Sequence, residues 1–445
     1  MVLWNLPAPW APWIAALAWP LHGRLAWRLA PLLQGALFAH GRRTVASWLR
    51  AAGLGHDFPG YYYFLGALGR CTQASAAALL RLLLEHVGTG ARLLFALDAP
   101  PTPRYGPKVQ GAGIHHNPTP GPTDQKFLYG HLWVTLAWVV RHPRWGTIGL
   151  PVLAWLYVRA KDLPTIPARY GWAFQTKLQL AARLVAWLVR WARYLGKALW
   201  VVVDGGYAKA PFLRPALRAG VVIVGRLRKD AGLRDVPAAP RPGQRRRPGR
   251  PRTYGRHKIS LAKRAGQKRG WQAVEAVLYG RRVTKQIKTF LATWKPVGGV
   301  VRVVLVREEH TWLAFFCTDP TATAVQVLEA VADRAAIEQD FRDLKEVEGL
   351  GQQQVRNVWA NLGAFHLNLW AHALVELWAW HQPREALCDR AASPWDDPER
   401  RPSHADRRKA LQRRCIEEAI SRAAHRQPLT PKTRRLLQSL VQLLS

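Results

Sequence analysis

Three acidic side chains stand in positions where carboxylates do chemistry. Asp98 closes the apolar run "LLFALDA", Asp204 closes "WVVVDGGYA", and Glu338 lies in the charged stretch "DRAAIEQDFRDLKEVEGLG" that begins at Asp333. A strand-end aspartate is ordinarily a turn residue or a cap. Two of them on strands expected to be neighbours, in a chain with only 28 Asp+Glu among 445 residues, point instead to ligand chemistry at the sheet edge. Gly205 and Gly206 allow a sharp turn and leave space beside Asp204. In the third stretch, at about 100° per residue, Glu338, Phe341 and Lys345 fall within roughly 40° of Arg334, while Asp340 and Asp343 point elsewhere. Such a face is either a solvated helix with an Arg334–Glu338 pair, contributing about 0.2–0.5 kcal/mol, or the wall of a charged site. Three carboxylates brought together need compensation, and hard cations such as Mg²⁺ or Mn²⁺ prefer oxygen ligands. Two such ions about 4 Å apart would activate a water or 3′-OH and stabilise the leaving oxygen of a phosphodiester.

The elements that must position these groups follow from hydropathy. From Ala91 the sequence turns to short β-like runs: "RLLFALDA", "FLYGHLWVTLAWVV" and "TIGLPVLAWLYV". The amphipathic helix "FQTKLQLAARLVAWLVRWARYLGK", the strand "ALWVVVDGGYA", a short helix "APFLRPALRAG" and the strand "VVIVGRLR" come next. The order β-β-β-α-β-α-β is that of a ribonuclease-H-like mixed sheet flanked by helices, an α/β fold. A second β-like series spans Trp271–Cys317, and the charged helix follows "TDPTA", where Thr or Asp supplies the cap. These patterns divide the chain into a helical N-terminal region at 1–88 with possible DNA-end binding and a first catalytic part at 89–228. An insertion at 229–318 comprises a basic loop (229–270) and a β-rich part (271–318). The catalytic domain is completed at 319–380, and a basic helical tail occupies 381–445.

Composition names the partner class. Lys+Arg number 65, giving a net charge of +37 at pH 7. That surplus points to a polyanion, nucleic acid first and an anionic membrane surface second. Cys71, Cys317, Cys388 and Cys415 are scattered without zinc or disulfide spacing, which fits a reducing cytoplasm. Met1–Gly23 carries no charge, but Pro7, Pro9, Pro12 and Pro20 interrupt it. It reads as a Trp-rich buried or interfacial segment, and no membrane partner is expected. "HGRRTVASWLRAAGL" has a weak helix-turn-helix flavour, with a small helical bundle an equal alternative.

With Asp98, "VVVDGGYAK" and "VADRAAIEQDFRDLK" in hand, the chain resembles the DDE transposases of bacterial insertion sequences, in the insertion-sequence-four-like group. Members carry a strand–Asp, a strand–Asp-Gly/Ser-x-Tyr, and a helix with Tyr-x2-Arg-x3-Glu-x6-Lys. Asp204 and Tyr207 match the second element; Arg334, Glu338 and Lys345 match the third at the same spacing. The signature's tyrosine position is Val331, so the tyrosine contact to DNA is lost or supplied elsewhere. The resemblance implies a metal triad of Asp98, Asp204 and Glu338 holding two Mg²⁺ or Mn²⁺ ions. It also implies double-stranded DNA as partner, with Tyr207, Arg334 and Lys345 contacting it, and a homodimer bringing two ends together in the bacterial nucleoid. A tryptophan of the β-rich insertion, with Trp294 the candidate, would stack on an extruded base.

"RRRPGRPRTYG" holds a Gly-Arg-Pro core in which Arg250 suits a narrow minor groove while neighbours such as Arg252 meet phosphates, the alternative being a generic phosphate-binding loop. His115 and His116 read as a loop turn or DNA contact rather than metal ligands. Two other functions stay open: a ribonuclease-H-like nuclease without strand transfer, and an inactive DNA-binding descendant of a transposase.

Overall fold

The computed structural model describes residues 6–117, 126–238, 252–388, 395–397, 399–426 and 430–431. It begins with helices α1 (Trp10–Ala18), α2 (Leu29–Phe38), α3 (Val45–Ala51) and α4 (Phe58–Val87). Within the uncharged N-terminal stretch, α1 turns Trp10, Trp13, Ile14 and Leu17 inward, against α4, while Trp19 just beyond it is exposed. Thr44 caps α3 through the Ser47 N–H, and Val45, Trp48 and Leu49 bury it against α2. "YYYFLGAL" and "ASAAALLRLLLEHV" lie on one helix, α4. No helix among the described residues is long and apolar enough to cross a membrane.

Five strands form the centre: β1 (Arg92–Asp98), β2 (Phe127–His142), β3 (Gly146–Tyr157), β4 (Ala198–Val203) and β5 (Val222–Arg226). Their order is β3-β2-β1-β4-β5, with β1, β4 and β5 parallel and β2 antiparallel to both its neighbours. This is the ribonuclease-H-like arrangement. β1 and β4 are continuous apolar runs because helices cover both faces of the sheet, as parallel strands require. Helices α5 (Lys177–Ala192) and α6 (Ala210–Arg218) connect β3 to β4 and β4 to β5.

The second β-series does not form a separate body. It comprises β6 (Leu233–Arg234), β7 (Lys258–Ile259), β8 (Gln272–Leu278), β9 (Arg281–Trp294), β10 (Gly299–Arg307) and β11 (Trp312–Cys317). β11 pairs antiparallel with β5, Cys317 opposite Val224, and the sheet runs on through β10 and β9 to β6 and β7. A boundary at 318 therefore falls at the end of a strand hydrogen-bonded into the central sheet.

The longer helices that follow among the described residues are α7 (Ala324–Asp333), α8 (Ala335–Glu346), α9 (Val358–Ala379) and α10 (His404–Arg426). Thr323 caps α7 in a full capping box with Gln326. The continuous helix expected after "TDPTA" is instead two helices meeting at Arg334. α9 is buried almost all round, which explains the absence of a polar face in "ANLGAFHLNLWAHALVELWAW". It crosses α4 at paired glycines, where a Cβ on Gly69 would lie 1.9 Å from the Trp359 carbonyl oxygen and one on Gly363 2.0 Å from that of Leu65. α10, expected as part of a basic tail, is docked: Arg408 and Gln412 donate to the C-terminal carbonyls of α2 at Ala36 and Leu37.

Candidate active site

The register of β1 on β4 places Leu97 beside Val203, so Asp98 and Asp204 follow each other off the ends of adjacent parallel strands. Asp204 bends back on the 3₁₀ turn Gly205–Tyr207, its Oδ1 accepting from the N–H of Gly206 at 2.8 Å and of Tyr207 at 3.3 Å. Asp98 Oδ1 accepts from the Ala99 N–H at 2.7 Å. Its other oxygen accepts from Arg334 Nη1 at 3.3 Å, and Arg334 Nη2 donates in turn to Glu338 Oε1. One guanidinium thus bridges an aspartate of the sheet and the glutamate of α8.

The junction between α7 and α8 aims that guanidinium. Asp333, buried at the end of α7, accepts from Arg141 of β2 at 2.9 Å and from the Thr147 hydroxyl of β3 at 2.6 Å. Arg141 also pairs with Glu329 one turn earlier, at 3.3 Å. Ile337, Phe341 and Leu344 of α8 are buried, and α8 packs on β1, β2 and β3. The β2–β3 hairpin therefore holds Asp333 on one side of the junction while Arg334 reaches the triad on the other.

Burial raises the pKa of Asp98; Arg334 and the Ala99 N–H oppose the rise, while the charges of Asp204 and Glu338 add to it. Both other carboxylates thus lie within electrostatic reach of Asp98. Tyr207 is raised well above the usual tyrosine range by burial, then by Asp98 and Asp204. The three carboxylates offer only oxygen, the donor type that hard divalent cations take, and Arg334 already supplies positive charge between two of them. Residue types and charge fit a metal centre.

This arrangement agrees with a comparison against protein families, in which the DDE superfamily endonuclease family matches residues 21–289. The chain belongs to the DDE superfamily endonucleases. The match contains Asp98 and Asp204 and ends before Glu338, whose assignment rests on the geometry above. DDE superfamily endonucleases act on DNA and generally use divalent metal ions. No curated protein is significantly similar to the chain.

The remaining expected site residues of this DDE endonuclease separate into groups. Lys345 is exposed near the end of α8 and Arg252 is exposed, while Arg250 lies outside the described residues. Two expectations are corrected. Trp294 is buried at 6 % exposure, edge-on to Phe316 at 5.0 Å, so its ring belongs to the core and offers no face to a base. Tyr207 is 5 % exposed against Phe212, with a buried hydroxyl that has no hydrogen-bond partner among the described residues, so its ring packs in the core rather than offering a face to duplex DNA. His115 and His116 lie on the short strand Gly113–His116 rather than in a turn, and burial lowers His115 to about 4.

One cluster escaped sequence reading altogether. His404 of α10 is held between Glu376 Oε1 of α9 at 2.7 Å and Glu348 Oε1 at 2.9 Å, and its ring stacks on His372 at 3.9 Å. Arg407 pairs with Glu376 at 2.5 Å, Arg408 lies 3.6 Å from Glu348, and His372 Nε2 lies 3.7 Å from Asp340 of α8. His372, Glu376 and His404 have a donor set that a metal ion can use. Both His404 nitrogens, however, already engage carboxylates, so the geometry is that of an ion lock. Burial would lower His404, but its two carboxylate hydrogen bonds raise it to about 9. Burial would raise Glu348, but Arg408 and His404 hold it down to about 2. The lock ties α10 to the chain immediately after α8. The one local signal in the sequence is the i,i+4 spacing of His372 and Glu376, and nothing local pairs them with His404.

Proposed function

We propose that this DDE endonuclease is a transposase, cleaving DNA at the ends of an insertion sequence and joining the freed 3′-OH to target DNA. The observation that carries the reading is the bridge from Asp98 through Arg334 to Glu338, beside Asp204 on the neighbouring strand. Asp98, Asp204 and Glu338 would hold two Mg²⁺ or Mn²⁺ ions, which when bound supply an activated nucleophile and a stabilised leaving oxygen. Arg334 supplies positive charge between two of the acids and offers N–H groups to a scissile phosphate. Lys345 adds positive charge along the same helix. Around β6 and β7 a groove of about 1510 Å³ is lined by Arg234, Arg252, Arg256, Lys258, Lys263 and Arg264, among others. Such a groove suits the phosphates of duplex DNA. In this reading the N-terminal helices contact the element ends, and a homodimer brings two ends together on the nucleoid.

The test uses DNA carrying the flanks of the element that encodes the chain, incubated with Mg²⁺ and wild type, Asp204→Ala or Glu338→Ala. Cleaved ends and joined products are expected from wild type alone. Equal activity of all three proteins would remove the triad; cleavage by wild type without joined product would leave an endonuclease and remove the transposase.

A further inference from the structure

The ion lock leaves two of its neighbours unsatisfied. His404 uses both ring nitrogens and Glu376 both oxygens within the lock. Asp340 of α8 and His372 of α9 are 4 % and 1 % exposed and make no hydrogen bond among the described residues. Asp340 Oδ2 and His372 Nδ1 have no partner, while Asp340 Oδ1 and His372 Nε2 face each other at 3.7 Å. Asp340 Oδ2 rests on the backbone of β3, where a Cβ on Gly149 would lie 1.9 Å from it. That side is closed, and Oδ1 is the oxygen turned to His372. Both residues, with Gln339 and Asp343 of α8, line a cavity of about 780 Å³.

The separation selects what can lie between them. At 3.7 Å it exceeds the reach of a direct hydrogen bond, about 2.7–3.2 Å. A water bonded to both at about 2.8 Å would see them about 83° apart, far inside its tetrahedral preference. A cation with bonds of about 2.1–2.2 Å would see them about 115–125° apart, close to the angles of a four-coordinate site. Charge agrees with this. No arginine or lysine among the described residues pairs with Asp340, and His372 stacks at 3.9 Å on the imidazolium of His404, which disfavours a second charged ring. A buried carboxylate therefore faces a neutral imidazole without the counter-charge that burial demands. A mixed nitrogen and oxygen donor pair suits Zn²⁺ or a similar transition ion better than Mg²⁺, in contrast to the all-oxygen triad.

We infer that Asp340 and His372 hold a transition-metal dication such as Zn²⁺, with Asp343, one turn further along α8, and solvent from the cavity completing its shell. The site is separate from the triad and from the lock, and it clamps α8, the helix that carries Glu338, to α9. It does not depend on the reading of the chain as a transposase.

The test measures Zn²⁺ bound by the full chain after dialysis at a fixed free concentration, together with the melting temperature in Zn²⁺ and in EDTA. Asp204→Asn removes a triad ligand and serves as the control. Wild type and Asp204→Asn should share one Zn²⁺ whose affinity falls in Asp340→Asn and in His372→Gln by more than the about 10- to 100-fold that losing an outer partner costs a metal site. Zn²⁺ should raise the melting temperature of wild type and Asp204→Asn but not of Asp340→Asn. Because Asp340→Asn removes a buried unpaired charge, it should melt no lower than wild type in EDTA, so that its loss of Zn²⁺ is not loss of fold. Equal Zn²⁺ binding by Asp340→Asn and wild type would overturn the inference. So would a site lost in Asp204→Asn, which belongs to the triad, or one lost in His404→Ala but kept in Asp340→Asn, which lies inside the lock. An Asp340→Asn protein that melts lower than wild type in EDTA would also overturn it, by revealing a partner for Asp340 other than a metal.

Discussion

His404→Ala is a substitution far from the triad whose effect the structure allows to be worked through. The imidazolium makes two charge-assisted hydrogen bonds to fully buried carboxylates, Glu376 and Glu348, which retain Arg407 and Arg408 when it is removed. At about 1.5–3 kcal/mol per charge-assisted bond, the loss is about 3–6 kcal/mol. With an unfolding entropy of about 2.1 cal/mol/K per residue, the 445-residue chain should melt about 3–6 °C lower. The pH dependence gives an independent figure. His404 is raised from 6.5 to about 9, so its stabilisation is complete below pH 6.5 and disappears as pH rises through 9. That shift corresponds to about 3 kcal/mol. Glu348, held down from 4.5 to about 2, acts with opposite sign: its contribution is present above pH 4.5 and is lost as pH falls towards 2. Thermal unfolding should be followed by circular dichroism from pH 5.5 to 9.5 in wild type and variant. The gap in melting temperature should be widest near pH 6 and nearly closed at 9.5. Parallel profiles across that range would show that no buried imidazolium exists and would refute the lock.

Other outcomes follow from the same geometry. Asp98→Asn, Asp204→Asn and Glu338→Gln should abolish metal-dependent cleavage while leaving the melting temperature equal or higher, because each relieves carboxylate repulsion; a cooperative loss of fold in all three would contradict this. Arg141→Ala removes a partner of buried Asp333 and should cost about 1–3 kcal/mol by denaturant titration, with cleavage slowed at saturating DNA rather than DNA binding weakened. Gly363→Ala forces a methyl group into the Leu65 carbonyl and should destabilise by about 1–3 kcal/mol or more; a neutral effect in urea unfolding would show that α4 and α9 are less closely packed. Trp294→Ala should cost about 3–5 kcal/mol of stability, and the surviving folded fraction should bind DNA as wild type does.

Much of the central fold was legible because the residues that build it obey local rules. Continuous apolar runs ending in Asp98 and Asp204 can only be buried strands, and their neighbouring positions follow from the β-β-β-α-β-α-β order. The break at Arg334 was not legible: the helical periodicity continues across it, and the break is made by Asp333 reaching Arg141 and Thr147, roughly 190 residues away in sequence. The extension of the sheet across β5 and β11 was hidden likewise, since nothing in a strand's sequence names its partner. Trp294 shows the ambiguity of a single tryptophan, whose fate depends on what lies across the strand. The lock at His404 joins three segments that no local pattern relates.

The unbroken sheet has a mechanical consequence. From β3 to β7 every step is a ladder of backbone hydrogen bonds, so the basic groove at one end and the carboxylates near the middle share a single stiff lattice. A duplex seated in that groove cannot be swung towards the acids by a hinge between two bodies. Its distance from them is set at folding, as a jig sets the distance from fence to blade. Any change in alignment during the reaction must then come from bending of the nucleic acid or from a second copy of the chain.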